Sequence, residues 1–243
     1  MDTIASPRAH ERRKAARSLE DVFSSYQRVA LVFQGGGALG AYQAGVFAAL
    51  DEVGCVPNWL SGVSIGAVNA AIIAGNPPER RLERLRAFWE TVSGRKIWAY
   101  TPEGDWFRAM RNLTSAWTTI FLGQPGFFQP RQLNPWLQLT GSAGAVSYYK
   151  TDNLRQTLER VIDFDVLNDG SKRLSVGAVN VRTGNFVYFD TEHERIGPEH
   201  IMASGALPPA LPAVKIEGEH YWDGGIVSNT TRRCNISSNR TII

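Results

Sequence analysis

A serine stands between two glycines in the segment GVSIG, in which Gly62 and Gly66 flank Ser64. This G-x-S-x-G pattern is typical of a sharp strand-to-helix turn that exposes a serine hydroxyl, and it requires small residues because neighbouring chain approaches closely. A helix that begins near Ile65 would direct free N–H groups and its positive dipole end towards the hydroxyl. The pattern predicts a nucleophilic serine, and the alternative is a turn that only packs a helix onto a sheet.

A run of three glycines earlier in the chain, Gly35, Gly36 and Gly37, is a candidate oxyanion site. Glycines adopt strained backbone angles and can expose consecutive N–H groups at the end of a strand. Together with Gly40, the same loop also matches G-x-G-x-x-G, the fingerprint of a dinucleotide-binding loop. That fingerprint needs an acidic residue at the end of the second strand, whereas the predicted second strand ends at Ser64. The sequence therefore favours the oxyanion site.

Two arrangements could supply the base that activates Ser64. A serine–aspartate–histidine triad could use His220 with Asp165 or Asp190, although nothing in the local sequence singles these residues out. Alternatively, Asp223 precedes two glycines in YWDGGIVSN, so its carboxylate lies on a flexible backbone that can approach another loop. Because D-G-G is also a common turn, these residues alone leave the choice open.

The elements that would position these residues alternate between strands and helices. The predicted order starts with the strand RVALVFQ, the helix AYQAGVFAALDEVG, the strand NWLSGVS and the helix IGAVNAAIIAG. An amphipathic helix over 78–92 is followed by an aromatic-rich segment, 95–150, which we expect to be a cap or insertion. Alternation resumes with NLRQTLERVI, RLSVGAVNV and FVYFDT. This order predicts an α/β domain with a mainly parallel sheet.

Composition limits the class of protein further. A length of 243 residues suits one α/β domain, and 26 basic against 23 acidic residues are too slight an excess to indicate a nucleic-acid partner. The two cysteines lack metal-ligand spacing, which fits a reducing, cytoplasmic compartment. We expect residues 1–27 to be a flexible basic arm, either solvated or in contact with phospholipid head groups, and not a secretory signal.

Four segments resemble the patatin-like phospholipase family, and they occur in the family order: GGGALGAYQAGV, GVSIGAVNA, ASGALPPALPAV and YWDGGIVSNT. The resemblance covers residues 28–231, the expected catalytic domain. It implies a three-layer α/β/α fold around a central, mainly parallel sheet, with the aromatic-rich segment as a helical insertion. This combination of motifs is much more specific than any one of them.

The resemblance also implies roles for individual residues. Ser64 would be the nucleophile and Asp223 the general base, in a Ser/Asp dyad without histidine. Gly35, Gly36 and Gly37 would supply oxyanion N–H groups. A solvated aspartate is a weak base, so the dyad requires a carboxylate that is partly desolvated and within hydrogen-bond reach of the hydroxyl.

The implied activity is hydrolysis of phospholipids, lysophospholipids or related lipid esters through an acyl-serine intermediate. No metal or cofactor is implied, and the expected partners are the lipid substrate and a membrane surface contacted peripherally. Two alternatives stay open at this point. One is a catalytically silent lipid-binding or interaction protein, and the other is a dinucleotide-binding domain.

The chain departs from the family pattern in two places. Leu39 stands near the end of the glycine loop, where many members carry Arg or Lys, so an oxyanion would rely on backbone N–H groups and a helix dipole. After SNT, the sequence TRRCNISSNRTII lacks the proline of the family pattern at position 231. We expect an irregular tail over 232–243 that reflects a truncation or reading-frame change close to residue 231, with genuine divergence from the family as the alternative.

Overall fold

The structure is a computed structural model that describes residues 21–93, 126–127, 129–130, 149–230 and 241–242. Most of the expected basic arm, most of the aromatic-rich segment and most of the expected tail lie outside these residues. The predictions for those three segments therefore stay predictions.

The described chain contains both strands and helices, interspersed along the sequence. The strands are β1 (Arg28–Phe33), β2 (Trp59–Val63), β3 (Gln129–Pro130), β4 (Tyr149–Lys150), β5 (Arg173–Asn180), β6 (Phe186–Asp190), β7 (Val214–Ile216), β8 (Glu219–Asp223) and β9 (Thr241–Ile242). The helices are α1 (Gly40–Glu52), α2 (Ile65–Ala74), α3 (Pro78–Ser93), α4 (Asp152–Val161), α5 (Phe164–Leu167) and α6 (Pro198–Ser204). Each strand and helix predicted from the sequence in the described segments has a counterpart among them.

A mixed sheet forms the centre of the fold. Among the described residues its order is β7-β8-β5-β2-β1-β9, with β6 also paired to β5, while β3 and β4 form a separate antiparallel pair. β1 is parallel to β2, β2 is parallel to β5, and β9 extends the parallel part beside β1. The helical crossovers that parallel strands require account for the alternation in the sequence. The predicted α/β class with a mainly parallel centre is confirmed.

One edge of β5 carries two different strands. β2 runs parallel to the first part of β5 and ends with Val63 opposite Gly177. β8 runs antiparallel to the last part and ends with Asp223 opposite Ala178. Because Ala178 and Val179 pair with both β6 and β8, β8 must lie on the edge that β2 occupies. The carboxyl ends of β2 and β8 therefore meet at neighbouring residues of β5.

Helix α2 fills the space beside this meeting point. All ten of its residues are buried, and it contacts β1, β2 and β5. Small side chains such as those of IGAVNAAIIA let a helix lie close to a sheet, so that its first residues reach the strand ends. Helix α1, by contrast, buries little besides Phe47 and Gly40.

None of the helices in the described ranges has both the length and the apolar character needed to cross a bilayer.

Candidate active site

Ser64 lies in the turn between β2 and α2 and has a backbone conformation that is rare for a residue with a side chain. Its φ is 57° and its ψ is −128°, a conformation that costs about 1–3 kcal/mol and persists only where the surroundings enforce it. Close packing provides that enforcement. A Cβ atom on Gly62 would lie 2.4 Å from the Gly66 backbone, and one on Gly66 would lie 2.4 Å from the Phe33 carbonyl oxygen. Both flanking positions therefore require glycine.

The structure brings Ser64 and Asp223 together. The Ser64 side chain lies close enough to the Asp223 carboxylate to interact with it and lower its pKa, and the Gly225 N–H donates to Oδ1 of the same carboxylate at 2.7 Å. Only 3% of Asp223 is exposed. Burial raises the pKa of Asp223 above its ordinary value, although the hydrogen bonds from Ser64 and Gly225 act in the opposite direction. The carboxylate is therefore a stronger base than a solvated aspartate.

The alternative triad is not assembled. The Asp190 carboxylate accepts the Ser175 hydroxyl at 2.6 Å and forms an ion pair with Arg173 at 2.9 Å. Asp165 is exposed and pairs with an arginine, Arg195. His220 is three positions before Asp223 on β8, so its side chain lies on the opposite face of the strand. None of the three residues proposed for a histidine mechanism is placed to activate Ser64.

The glycine loop lies directly beside Ser64. A Cβ atom on Gly35 would approach the Ser64 Cβ to 3.2 Å. The Gly35 N–H, however, donates to the Asn229 carbonyl at 3.1 Å, and the Asn229 side-chain amide donates back to the Gly35 carbonyl at 3.0 Å. Gly35 therefore departs from the expectation that all three glycines offer free N–H groups. In the part of the chain that the structure describes, the Gly36 and Gly37 N–H groups have no protein acceptor.

A buried asparagine, which sequence reasoning missed, fixes this loop. The Asn69 side-chain amide donates to the Gly40 carbonyl at 2.9 Å and to the Gln43 side chain at 3.0 Å, and it accepts the Trp89 indole N–H at 3.1 Å. Gln43 in turn donates to the Gln34 carbonyl at 2.8 Å. Both ends of the loop are therefore tied to α2. The sequence feature that could have indicated this contact is the single asparagine among the small and apolar residues of α2.

A second missed group lies at the end of α6, in the segment ASGALPPALPAV. The Ser204 hydroxyl accepts the Ser64 N–H at 2.8 Å and donates to the Gly177 carbonyl at 2.6 Å. Two residues later, the Ala206 carbonyl accepts the Asp223 N–H at 3.0 Å. One short segment thus contacts the backbone of both Ser64 and Asp223.

Comparisons with known proteins show the family and agree with the fold. A family model described as Patatin-like phospholipase matches residues 31–233. Among solved structures, VipD from Legionella pneumophila is similar, with a TM-score of 0.50 and 17% sequence identity, over 90% of this chain and 49% of VipD. This chain therefore spans about half the length of VipD, and at that identity the likeness concerns the fold alone. No curated protein matches the sequence.

The close approach of α2 to β1 predicts opposite effects for two helical glycines. Gly66→Ala should lower the free energy of unfolding by about 3 kcal/mol or more, because its new methyl group would meet the Phe33 carbonyl oxygen at 2.4 Å. Gly45→Ala, within α1, meets nothing within 4 Å and should raise it by up to about 1 kcal/mol. Urea unfolding measures both changes, and equal effects would contradict the close approach.

Burial of Asp223 also predicts a pH-dependent difference in stability. Because its pKa is higher in the folded than in the unfolded chain, ionisation of Asp223 opposes folding. This penalty appears as the pH rises from the pKa of the unfolded state to that of the folded state. Asp223→Asn should therefore unfold at a higher temperature than the wild type at about pH 7.5, and the difference should shrink towards about pH 4. Calorimetry at several pH values tests this. A wild type that is the more stable at neutral pH would contradict it.

Proposed function

Because the chain belongs to the patatin-like phospholipase family, we propose that it is a serine acyl-ester hydrolase of phospholipids, lysophospholipids or related lipid esters. The observation that carries this proposal is the close approach of the Ser64 side chain to the buried Asp223 carboxylate, where β2 and β8 end at neighbouring residues of β5. A hydroxyl paired with a desolvated base, beside free backbone N–H groups, is the arrangement that acyl transfer requires.

The first half of the reaction would acylate Ser64. Asp223 accepts the hydroxyl proton while Oγ attacks the ester carbonyl carbon, and the carbonyl electron pair moves onto oxygen. The Gly36 and Gly37 N–H groups and the amino end of α2 stabilise this oxyanion. When the intermediate collapses, the bond to the alcohol breaks, and the alcohol leaves with the proton that Asp223 had accepted.

The second half would release the acyl group. Asp223, again a carboxylate, takes a proton from water, and the resulting hydroxide attacks the acyl-serine carbonyl. The same N–H groups stabilise the second oxyanion. Collapse breaks the bond to Oγ, Ser64 regains a proton from Asp223, and a carboxylic acid is released. One carboxylate therefore serves as base and acid in both halves.

Exposed apolar side chains support a substrate with acyl chains and peripheral contact with a lipid surface. Leu39 and Tyr42 follow the glycine loop and are both 77% exposed. Leu207 follows Ser204 within the segment ASGALPPALPAV, and Ile226 and Val227 follow Asp223; all three are exposed. Three of the segments that carry site residues thus continue into apolar surface, which favours contact with lipid. The cytoplasmic location expected from the sequence stays a prediction.

Turnover of a soluble short-chain ester and of phospholipid vesicles tests the proposal. Ser64→Ala should lower turnover by about 10³-fold or more, because no nucleophile remains, and Asp223→Asn by about 10²–10⁴-fold, because the base is lost. The matched control is Asp165→Asn, which removes an exposed aspartate that pairs with Arg195 and has no part in the proposed reaction, and it should keep turnover at the wild-type level.

Equal turnover by the wild type, Ser64→Ala and Asp223→Asn would contradict the proposal. Vesicle binding that is unchanged in Ser64→Ala, together with no turnover by the wild type, would instead favour the catalytically silent lipid-binding protein. Thermal stabilisation by NAD or NADP would favour the dinucleotide-binding alternative.

A further inference from the structure

We infer that Ser204 is a positioning residue for the reaction, because its hydroxyl holds the backbone of Ser64 in the conformation that presents the nucleophile to Asp223. This inference rests on the proposed function and extends it to a residue outside the dyad and the glycine loop. Ser204 touches neither the substrate carbonyl nor the Asp223 carboxylate in the proposed mechanism; it would act through Ser64.

The hydrogen bonds of Ser204 fix the orientation of its hydroxyl. Ser204 is the last residue of α6 and is fully buried. A serine hydroxyl has one hydrogen, and that of Ser204 is directed to the Gly177 carbonyl at 2.6 Å. A lone pair therefore faces the Ser64 N–H, whose nitrogen is 2.8 Å from the Ser204 oxygen. β5 thus sets the direction from which Ser204 can accept that N–H.

The Ser64 N–H depends on this acceptor. Ser64 follows the last residue of β2 and precedes the first residue of α2, so its N–H belongs to neither the strand ladder nor the helix. A buried N–H without an acceptor is costly, and with φ at 57° the peptide group before Ser64 has no regular partner. Because the Ser204 hydroxyl accepts this N–H, it favours the peptide orientation from which the Ser64 side chain reaches Asp223.

The segment that contains Ser204 also fixes the other member of the dyad. The Ala206 carbonyl accepts the Asp223 N–H at 3.0 Å. Ser204 and Ala206 are separated only by Gly205, at the end of α6, where the Gly205 N–H closes the helix against the Met202 carbonyl at 3.1 Å. The distance between the backbones of Ser64 and Asp223 is therefore set from both sides by one rigid turn.

A serine with only a structural role would behave differently, and the chain offers a matched example. Ser61 on β2 is also buried, and its hydroxyl donates to a carbonyl of β5, that of Ser175, at 3.3 Å. Within the described residues, Ser61 makes no hydrogen bond to Ser64. Removing either hydroxyl takes away a buried bond to β5, but only removal of the Ser204 hydroxyl frees the Ser64 N–H.

Steady-state kinetics on a soluble short-chain ester would separate the two roles. Ser204→Ala should lower kcat by about 10–100-fold while KM stays within about twofold, because a displaced nucleophile slows the chemical step more than binding. Ser61→Ala should keep kcat within about twofold of the wild type, even if its Tm falls as far as that of Ser204→Ala. The rate at which a fluorophosphonate probe labels Ser64 should follow kcat in both variants.

Ser204→Cys provides the conservative variant. It keeps a side chain of similar size with a weaker acceptor, so kcat should lie between those of the wild type and Ser204→Ala. If Ser204→Ala does not fold, the comparison of Ser204→Cys with Ser61→Cys carries the test.

Equal kcat and labelling rates for the Ser204 and Ser61 variants would overturn the inference, as would an effect of Ser204→Ala on KM alone. A wild-type protein that neither hydrolyses ester nor reacts with the probe would overturn the proposed function first, and this inference would fall with it. The two failures can be told apart, because failure of the proposed function is seen in the wild type, whereas failure of this inference is seen only in the variants.

Discussion

The site depends on one junction in the sheet, where β2 and β8 end against neighbouring residues of β5. Val63 is opposite Gly177 and Asp223 is opposite Ala178, so the residue after β2 and the last residue of β8 must meet. The junction also sets local requirements. A Cβ atom on Gly224 would lie 2.8 Å from the Gly177 carbonyl oxygen, which explains why the residue after Asp223 is glycine. The same carbonyl orients the Ser204 hydroxyl.

Two features of this junction oppose folding, and both belong to the groups that act in the proposed acyl transfer. Ser64 has a strained backbone, and Asp223 has a buried carboxylate whose pKa burial raises. Both persist because surrounding groups enforce them: the glycine contacts on each side of the turn, the bond from the Gly225 N–H to Asp223, the bond from the Ser64 N–H to Ser204, and the fully buried helix α2. Local strain and desolvation at a well-packed site are typical of groups selected for reactivity and not for stability.

The sequence predicted those features that depend on local geometry. The turn at Ser64 could be recognised because it requires small residues at fixed spacing, and β1 because RVALVF is a continuous apolar run. Contacts between distant residues could not be predicted. Gly35 loses its free N–H to Asn229, a partner 194 positions away, and no local pattern signals that pairing. Arg81, one of the charged residues of α3, is buried, and its side chain donates to the Asn76 carbonyl. Such pairings follow from strand register and helix packing, which are properties of the assembled fold.

A crystal structure of the protein after reaction with a fluorophosphonate would test the central claim most directly. The account predicts phosphorus bonded to Ser64 Oγ, one phosphoryl oxygen within hydrogen-bond distance of the Gly36 and Gly37 N–H groups, and the Asp223 carboxylate beside Oγ. Phosphorus on another residue, or an Asp223 carboxylate turned away from Ser64 with β8 shifted along β5, would contradict it.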